Sequence, residues 1–477
     1  MSPEALFAQA AKLAADYRSA VGEAAVPLPY AAMRSLFDAP TPEQGAPSAD
    51  VIQDLVTLSA SGLRAMTGPR FFGWVIGASH PVGVAADWLT AAWGQNAGNH
   101  EASPAAAAAE AVAAKWLLNL LDLPRDASVG FVTGATMASF VCLAAARGAV
   151  LRRVGWDVER DGLFGAPPIN VLIGDDAHTS VFSSLSFLGL GHDRVHRIAT
   201  DAQGRMLANA FVQALDACDG PTIAIVQAGQ LNTGAFDPVV PIIAAARARD
   251  AWVHVDGAFG LWARACPGIA HLAAGFDAAD SWATDGHKWL QTPYENGYAI
   301  VRNTEAHRRA MTIAASYLPP VAEGDRDPSH FVPELSRRAR GFPTWAMIRH
   351  LGRAGIAAMV AEHCRLARHM AARLATEPGV HVLNDVVLNQ IIVRFGARDA
   401  EGAADRMTLE TIRRIQADGT CFAGGARWRD RWVMRLSVIG APTTEADIDR
   451  SCDAICAAWR SVRGSNFGAL GAEPRVE

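Results

Sequence analysis

Between about residue 128 and residue 302, short apolar β-type runs alternate with helix-length segments, and this alternation constrains the fold of the 477-residue chain more than any other feature. The runs are Val129-Gly-Phe-Val-Thr133, Asn170-Val-Leu-Ile-Gly174, Thr222-Ile-Ala-Ile-Val226, Ala251-Trp-Val-His-Val255, Ser281-Trp-Ala-Thr284 and Tyr298-Ala-Ile-Val301. Between several of them lie segments of helical length, such as 207–217 and 240–249. Strands buried on both faces read as continuous apolar runs, so the pattern predicts an α/β fold with a mostly parallel sheet covered by helices. Sheets of this kind bind ligands in the crevice outside the carboxyl ends of their strands.

The flanks read differently. Residues 1 to about 65 carry helical patterns broken by the proline-rich stretch Phe37–Pro47, and an alanine-rich helix runs from Pro104 to about Leu123. Residues 303–342 are irregular and polar, a length that marks a functional loop in a compact protein. A long helix is expected from Pro343 to about Leu374. Strand-like runs at 380–383, 390–394 and 432–437, with two helices, then make a small α/β C-terminal unit.

A net charge of −5 and a pI near 6.3 leave no basic footprint for nucleic acid, and no polybasic cluster points to a membrane surface. The run Pro104–Ala109 is too short to span a bilayer, and the N-terminus lacks a charged region followed by an apolar one. Seven scattered cysteines, an odd number, fit reduced thiols in a cytoplasm; Cys452 and Cys456 read as small core residues. No metal site is expected.

Chemistry gathers at the strand ends. Lys288 lies in Asp285-Gly-His287-Lys288-Trp289 beside apolar stretches where an unpaired ammonium is costly, and a neutral lysine amine is a nucleophile toward carbonyls. Upstream, Asp256 ends the run that contains His254. A lysine for an aldehyde and an aspartate for a pyridinium nitrogen are the two anchors that pyridoxal phosphate (PLP) requires. Thr133-Gly134-Ala135-Thr136 joins a strand to a helix whose free N–H groups suit an anion, although Thr133 serves equally as a cap. His178 follows the next strand, either as a loop residue or stacked on a flat ring. Gln230 sits in a loop rich in hydrogen-bonding side chains, and Ser336-Arg-Arg-Ala-Arg340 is either a solvated basic run or part of a site.

The order of these elements resembles the group II PLP-dependent decarboxylases, the aromatic-amino-acid and glutamate decarboxylase family. The resemblance runs through Pro69-Arg-Phe71-Phe72-Gly73, Ser103-Pro104, Thr133–Thr136, Ala177-His178-Thr-Ser180, Gly234-Ala-Phe-Asp-Pro238, His254-Val-Asp256-Gly-Ala258, the His287-Lys288-Trp289 motif and Ser336–Arg340. It implies fold type I: a large domain with a mostly parallel seven-stranded sheet, a small α/β C-terminal domain and a helical N-terminal segment. The corresponding division is 1–85 packing on the partner subunit, 86–310 binding the cofactor, 311–342 as a mobile active-site loop and 343–477 as the small domain. It further implies an obligate homodimer with active sites at the interface.

The same resemblance assigns roles. Lys288 would hold PLP as a Schiff base, Asp256 would keep the pyridine nitrogen protonated, and His178 would stack on the ring near the substrate. Thr133, Gly134, Ala135, Thr136 and His287 would hold the phosphate, Ala258 would face the ring, and Gln230 would approach its 3-oxygen. Phe71, Phe72 and Trp74 would line the substrate pocket, and Arg435 would hold a substrate carboxylate. The reaction implied is decarboxylation of an L-amino acid, aromatic by the pocket residues, through a quinonoid. One departure stands out: relatives carry a tyrosine on the long loop as proton donor, and residues 318–342 contain none. His330 is the candidate substitute. Without such a donor the product would be an aldehyde made with oxygen; a PLP-binding protein of low activity is a third possibility.

Overall fold

The computed structural model describes residues 1–23, 25–312, 326–396 and 401–465. Five helices come first: α1 (Pro3–Ala20), α2 (Tyr30–Phe37), α3 (Ser48–Ala60), α4 (Pro81–Trp93) and α5 (Pro104–Leu120). The central stretch runs β1 (Ser128–Val132), α6 (Ala135–Arg153), α7 (Val158–Asp161), β2 (Asn170–Gly174), α8 (Thr179–Phe187), β3 (His196–Ile198), α9 (Ala208–Asp216), β4 (Thr222–Gln227), α10 (Val239–Ala248), β5 (Trp252–Asp256), β6 (Ser281–Asp285) and β7 (Gly297–Val301). After α11 (Thr304–Met311) and α12 (Gly341–Ala375) come β8 (Val380–Val382), β9 (Gln390–Phe395), α13 (Glu401–Asp418), β10 (Gly424–Trp428), β11 (Arg431–Ser437) and α14 (Glu445–Gly464). The chain forms two compact units, one of residues 75–368 and 384–391, the other of residues 1–74, 369–383 and 392–477.

The larger unit is built on a seven-stranded sheet ordered β1-β7-β6-β5-β4-β2-β3. The pairs from β3 through β6 are parallel, and β7 runs antiparallel to both β6 and β1. Two antiparallel steps restore the direction, so β1 points the same way as β4, β5 and β6 and their carboxyl ends share one edge. All six strands expected from the apolar runs are present. The seventh, β3, has only three residues, two of them exposed, which is why its sequence carries no apolar signal.

α6 is the central cover of this sheet. Ala138, Val141, Cys142, Ala145 and Val150 are buried with Ile223, Ile225, Trp252, Ala283 and Val301 in one core, where each fully buried valine or isoleucine contributes on the order of 1.5–3 kcal/mol. Among the described residues α6 is the one helix with the length and mean hydropathy (1.3) of a membrane span, and here that apolarity covers the sheet. At the sheet edge, a side chain at Gly130 would meet the Phe331 carbonyl, and Arg326 donates to the Val129 carbonyl (2.5 Å), so residues 326–332 cover the open side of β1. Arg326 and the fully buried Arg337 both reach Glu110 on α5, at 3.0 and 2.7 Å, while Arg338 pairs with Asp87 and Arg340 with Glu295. The basic run is therefore a set of packed ion pairs and not a solvated stretch. α12 is interrupted at Gly352 (φ 61°, ψ 177°), a conformation essentially confined to glycine.

The smaller unit carries a four-stranded sheet ordered β10-β11-β9-β8, in which β10–β11 and β8–β9 are antiparallel. β10 escaped the sequence reading because its hairpin turns on Arg429-Asp430, both at positive φ, in place of the asparagine–glycine signal such turns usually show. The N-terminal residues join this unit through Arg70, which reaches Asp447 (3.0 Å), and through Phe72, whose N–H and carbonyl bond Phe422 and Ser437. All seven cysteines are free, and six are buried.

Candidate active site

At the carboxyl edge of the large sheet, β6 ends on Asp285 and the chain turns at once through Gly286, His287 and Lys288. Gly286 permits the turn: a Cβ there would meet the Tyr298 hydroxyl and the Thr292 hydroxyl. The segment 77–80 clamps it from outside, with the Gly77 N–H on the His287 carbonyl (2.9 Å) and the Ala78 N–H on Gln291 Oε1 (2.8 Å). Gln291 in turn holds the Lys288 carbonyl (3.0 Å). Trp289 is fully buried and donates to His363 Nδ1 (3.0 Å), which leaves Lys288 as the residue of the turn that reaches back over the sheet edge.

Lys288 Nζ lies 3.1 Å from Asp285 Oδ2 and 5.8 Å from the centre of the Phe259 ring. Asp285 Oδ1 accepts the Ala135 N–H at 2.6 Å and lies 3.5 Å from His287 Nε2. One carboxylate thus joins the lysine, the histidine and the N-terminus of α6. His287 Nδ1 accepts the Asn296 N–H (3.4 Å) and its ring lies 4.4 Å from that of Tyr294. That assigns the ring proton to Nε2, and burial pushes the imidazole below its usual range, so His287 is a neutral donor.

The other expected groups stand along the same edge. Asp256 ends β5 nearly buried; Oδ1 accepts the Ala258 N–H at 3.3 Å, and Oδ2 has no hydrogen-bond partner among the described residues. The Ala258 carbonyl accepts the Asp285 N–H (2.9 Å), which ties β5's exit to β6's. His178 caps α8 through Nδ1, which accepts the Ser180 N–H (3.2 Å) and contacts its hydroxyl at 2.6 Å. Gly134 begins α6, and a Cβ there would come within 3.1 Å of His287 Cε1 and 3.3 Å of Asp285 Oδ1. Thr133 and Thr136 flank it, Thr136 exposed. Gln230 is placed otherwise than expected: Oε1 accepts the N–H groups of Asn232 and Thr233 (2.6 and 3.0 Å) and Nε2 donates to the Asp176 carbonyl (3.1 Å). Its carboxamide is taken up in shaping its own loop.

Four of the expected substrate residues belong to the smaller unit. Phe71 stacks on Phe422 (4.9 Å, 3°), Phe72 is buried, Trp74 is half exposed with φ 50°, and Arg435 lies on β11 opposite Gly424. Burial lowers the Arg435 guanidinium to about 10, and no side chain among the described residues pairs with it. His330 falls in the short turn Pro328–Phe331. Its neighbours are Phe331 and the charges of Arg308, Asp327 and Arg326, and burial lowers its imidazole. The turn is pinned where His307 bridges the Phe331 carbonyl (3.0 Å) and the Ser128 hydroxyl (2.8 Å), at the amino end of β1. Within one chain this separates His330 from the groups at the carboxyl edge, against the expectation of a proton donor there. Asp285 was missed: in sequence it reads as part of the motif around Lys288, and only the turn at Gly286 makes it face the lysine.

The donor set fits pyridoxal phosphate. A nearly buried carboxylate with one open oxygen suits a pyridinium N–H, an N–H-rich helix end kept open by Gly134 suits a phosphate, and a lysine stands at the edge between them. Residues 29–395 match the family model described as the pyridoxal-dependent decarboxylase conserved domain. The chain is 27% identical over 460 residues to aromatic-L-amino-acid decarboxylase of Sus scrofa, covering 92% of this chain and 91% of that protein. It is 24% identical over 415 residues to phenylacetaldehyde synthase of Arabidopsis thaliana, covering 83% and 82%. Its fold is similar to that of Oryza sativa TDC solved with PLP and tryptamine, with a TM-score of 0.90 at 23% identity over 97% of this chain and 99% of that one.

Proposed function

The chain belongs to the pyridoxal-dependent decarboxylase family, and from that premise we propose that it removes the carboxyl group of an L-amino acid with an aromatic side chain, releasing the amine and carbon dioxide. It is a PLP-dependent carboxy-lyase of fold type I. The observation that carries the reading is the convergence of Lys288, His287, Asp285 and the α6 N-terminus at the strand edge where Asp256 also ends. The aromatic substrate class is supported by the names of the relatives.

Bound PLP supplies the electron sink that takes up the electron pair of the cleaved bond between Cα and the carboxylate. Lys288 contributes the amine that holds the cofactor's aldehyde and that gives way to the substrate's amine. Asp256 holds a proton at the pyridine nitrogen, because a nearly buried carboxylate stabilises a cation beside it. Thr133, Gly134 and Thr136 at the start of α6 are the proposed holders of the phosphate, the Ala135 N–H being taken by Asp285 Oδ1 at 2.6 Å, and neutral His287 offers Nε2–H. His178 is held by Ser180, whose N–H Nδ1 accepts, and is the residue proposed to stack on the ring near the substrate. Arg435 is a cation whose charge has no partner among the described residues, which suits a carboxylate. The chain acts as a homodimer in this reading, supported by the exposed aromatic face of α4.

A second reading is favoured by one observation, the absence of tyrosine from residues 318–342: decarboxylation coupled to oxidation by oxygen, giving an aldehyde. Incubating the PLP-loaded enzyme with a panel of L-amino acids while following carbon dioxide, amine and hydrogen peroxide separates the two. Amine equal to carbon dioxide with an aromatic substrate is expected; peroxide equal to carbon dioxide would replace the first reading by the second. Lys288→Ala is expected to lose both the bound chromophore and turnover, and retention of either would overturn the assignment.

A further inference from the structure

Asp285 puts a carboxylate inside a cradle built for a phosphate. Its carboxylate is 2% exposed, so a compensating cation must be close, and the Lys288 ammonium at 3.1 Å is that cation. The ammonium, however, has no lone pair, and Lys288 can bond an aldehyde carbon only after giving up a proton. The two oxygens of Asp285 divide the work. Oδ1 is held by the Ala135 N–H at 2.6 Å, with His287 Nε2 at 3.5 Å, which fixes the carboxylate plane. Oδ2 is left to Lys288. The hydroxyls of Tyr294 and Tyr298 also lie within range of the Asp285 charge, but both are pushed up, by burial first and by that charge second, and neither can take a proton as a neutral phenol.

We propose that Asp285 is the proton shuttle for making and breaking the bond between Lys288 and the cofactor. Oδ2 takes a proton from the Lys288 ammonium, and the freed electron pair forms the bond to the aldehyde carbon while the carbonyl electron pair moves to oxygen. Asp285 returns the proton to that oxygen, takes a second from the nitrogen, and returns it as the C–O bond breaks and the double bond to nitrogen forms. Two of the three ammonium protons leave in one water molecule, one stays on nitrogen, and Asp285 ends as the carboxylate it began as. Release of Lys288 to an incoming amine uses the same oxygen, which hands Lys288 the proton that the incoming ammonium gave up. The proposal rests on Lys288 holding PLP and not on which amino acid is decarboxylated.

The test is the rate at which an added amino acid displaces Lys288 in the PLP-loaded enzyme, read by stopped-flow absorbance. Asp285→Asn and Asp285→Ala are expected to retain bound chromophore but to slow displacement by about 10²–10⁴-fold, the usual contribution of a positioned acid–base group. Added formate is expected to restore part of the rate in Asp285→Ala and to leave the unsubstituted enzyme unchanged. Displacement by Asp285→Asn at the unsubstituted rate would overturn the proposal while leaving the Lys288 assignment standing. Should neither variant hold cofactor, the unsubstituted enzyme still decides: an internal shuttle predicts a displacement rate independent of carboxylate buffer concentration, and acceleration by buffer would refute it.

Discussion

A nearly buried carboxylate with an unbonded oxygen costs stability unless something cationic or proton-bearing meets it, and Asp256 keeps such an oxygen at the end of β5. The fold accepts that cost at the one strand end where the pyridine nitrogen is assigned. Asp256→Asn removes the charge and keeps the shape. It is expected to retain the Lys288-linked chromophore while turnover falls by about 100-fold or more, the order seen when one pre-organised electrostatic partner is lost; unchanged turnover would remove Asp256 from the site. At this scale the sequence was most informative where function and strand ends coincide. The placement of Asp256, His287 and Lys288 at strand ends was readable, because Asp256 closes one apolar run and the other two lie just past another. Asp285 was not, because facing Lys288 depends on a turn that a side chain at Gly286 would block. The true engagement of Gln230 was hidden for a related reason: a carboxamide looks the same in sequence whether it meets a ligand or its own loop.

Elements show a different division. Six of the seven strands of the large sheet were legible because strands buried on both faces must be continuously apolar. β3 and β10 were not, since one is three residues long and the other is a half-exposed strand opening on two glycines. The segment that follows residue 325 was read as loop, yet from Arg326 to Arg340 it is fixed by ion pairs to α4, α5 and Glu295. Glu110 is the centre, 1% exposed and shared by two arginines. Glu110→Ala leaves two guanidinium groups packed without a counter-charge, and a loss of about 3–5 kcal/mol in denaturant unfolding is expected. Trypsin cleavage after Arg326 and Arg337 should accelerate in the same variant. A loss below about 1 kcal/mol would mean that water reaches the arginines and the segment is held otherwise.

For the whole molecule, an ordinary globular composition sits beside surfaces that globular chains rarely leave open. On α4, Trp88, Leu89 and Trp93 are 46%, 50% and 50% exposed, and in the N-terminal helices Phe7, Leu55 and Val56 are exposed as well. Covering each such side chain is worth on the order of 1.5–3 kcal/mol, so a second copy is the expected cover. Sedimentation is expected to give twice the 50.5 kDa chain mass, and Trp93→Glu to shift the population toward the single chain; a monomer at micromolar concentration would contradict this. The joining of the first 74 residues to the C-terminal unit was not legible, because no local pattern records which distant segments meet. The large sheet has the same long reach: among the described residues β1, its first strand, pairs only with β7, Ser128 lying against Val301, 173 residues later. On a ribosome adding about 5–20 residues per second, that strand waits roughly 10–30 s for its sole neighbour. During synthesis its apolar face must therefore be sheltered by α5 and α6, or by a chaperone, until β7 joins it to the strands already made.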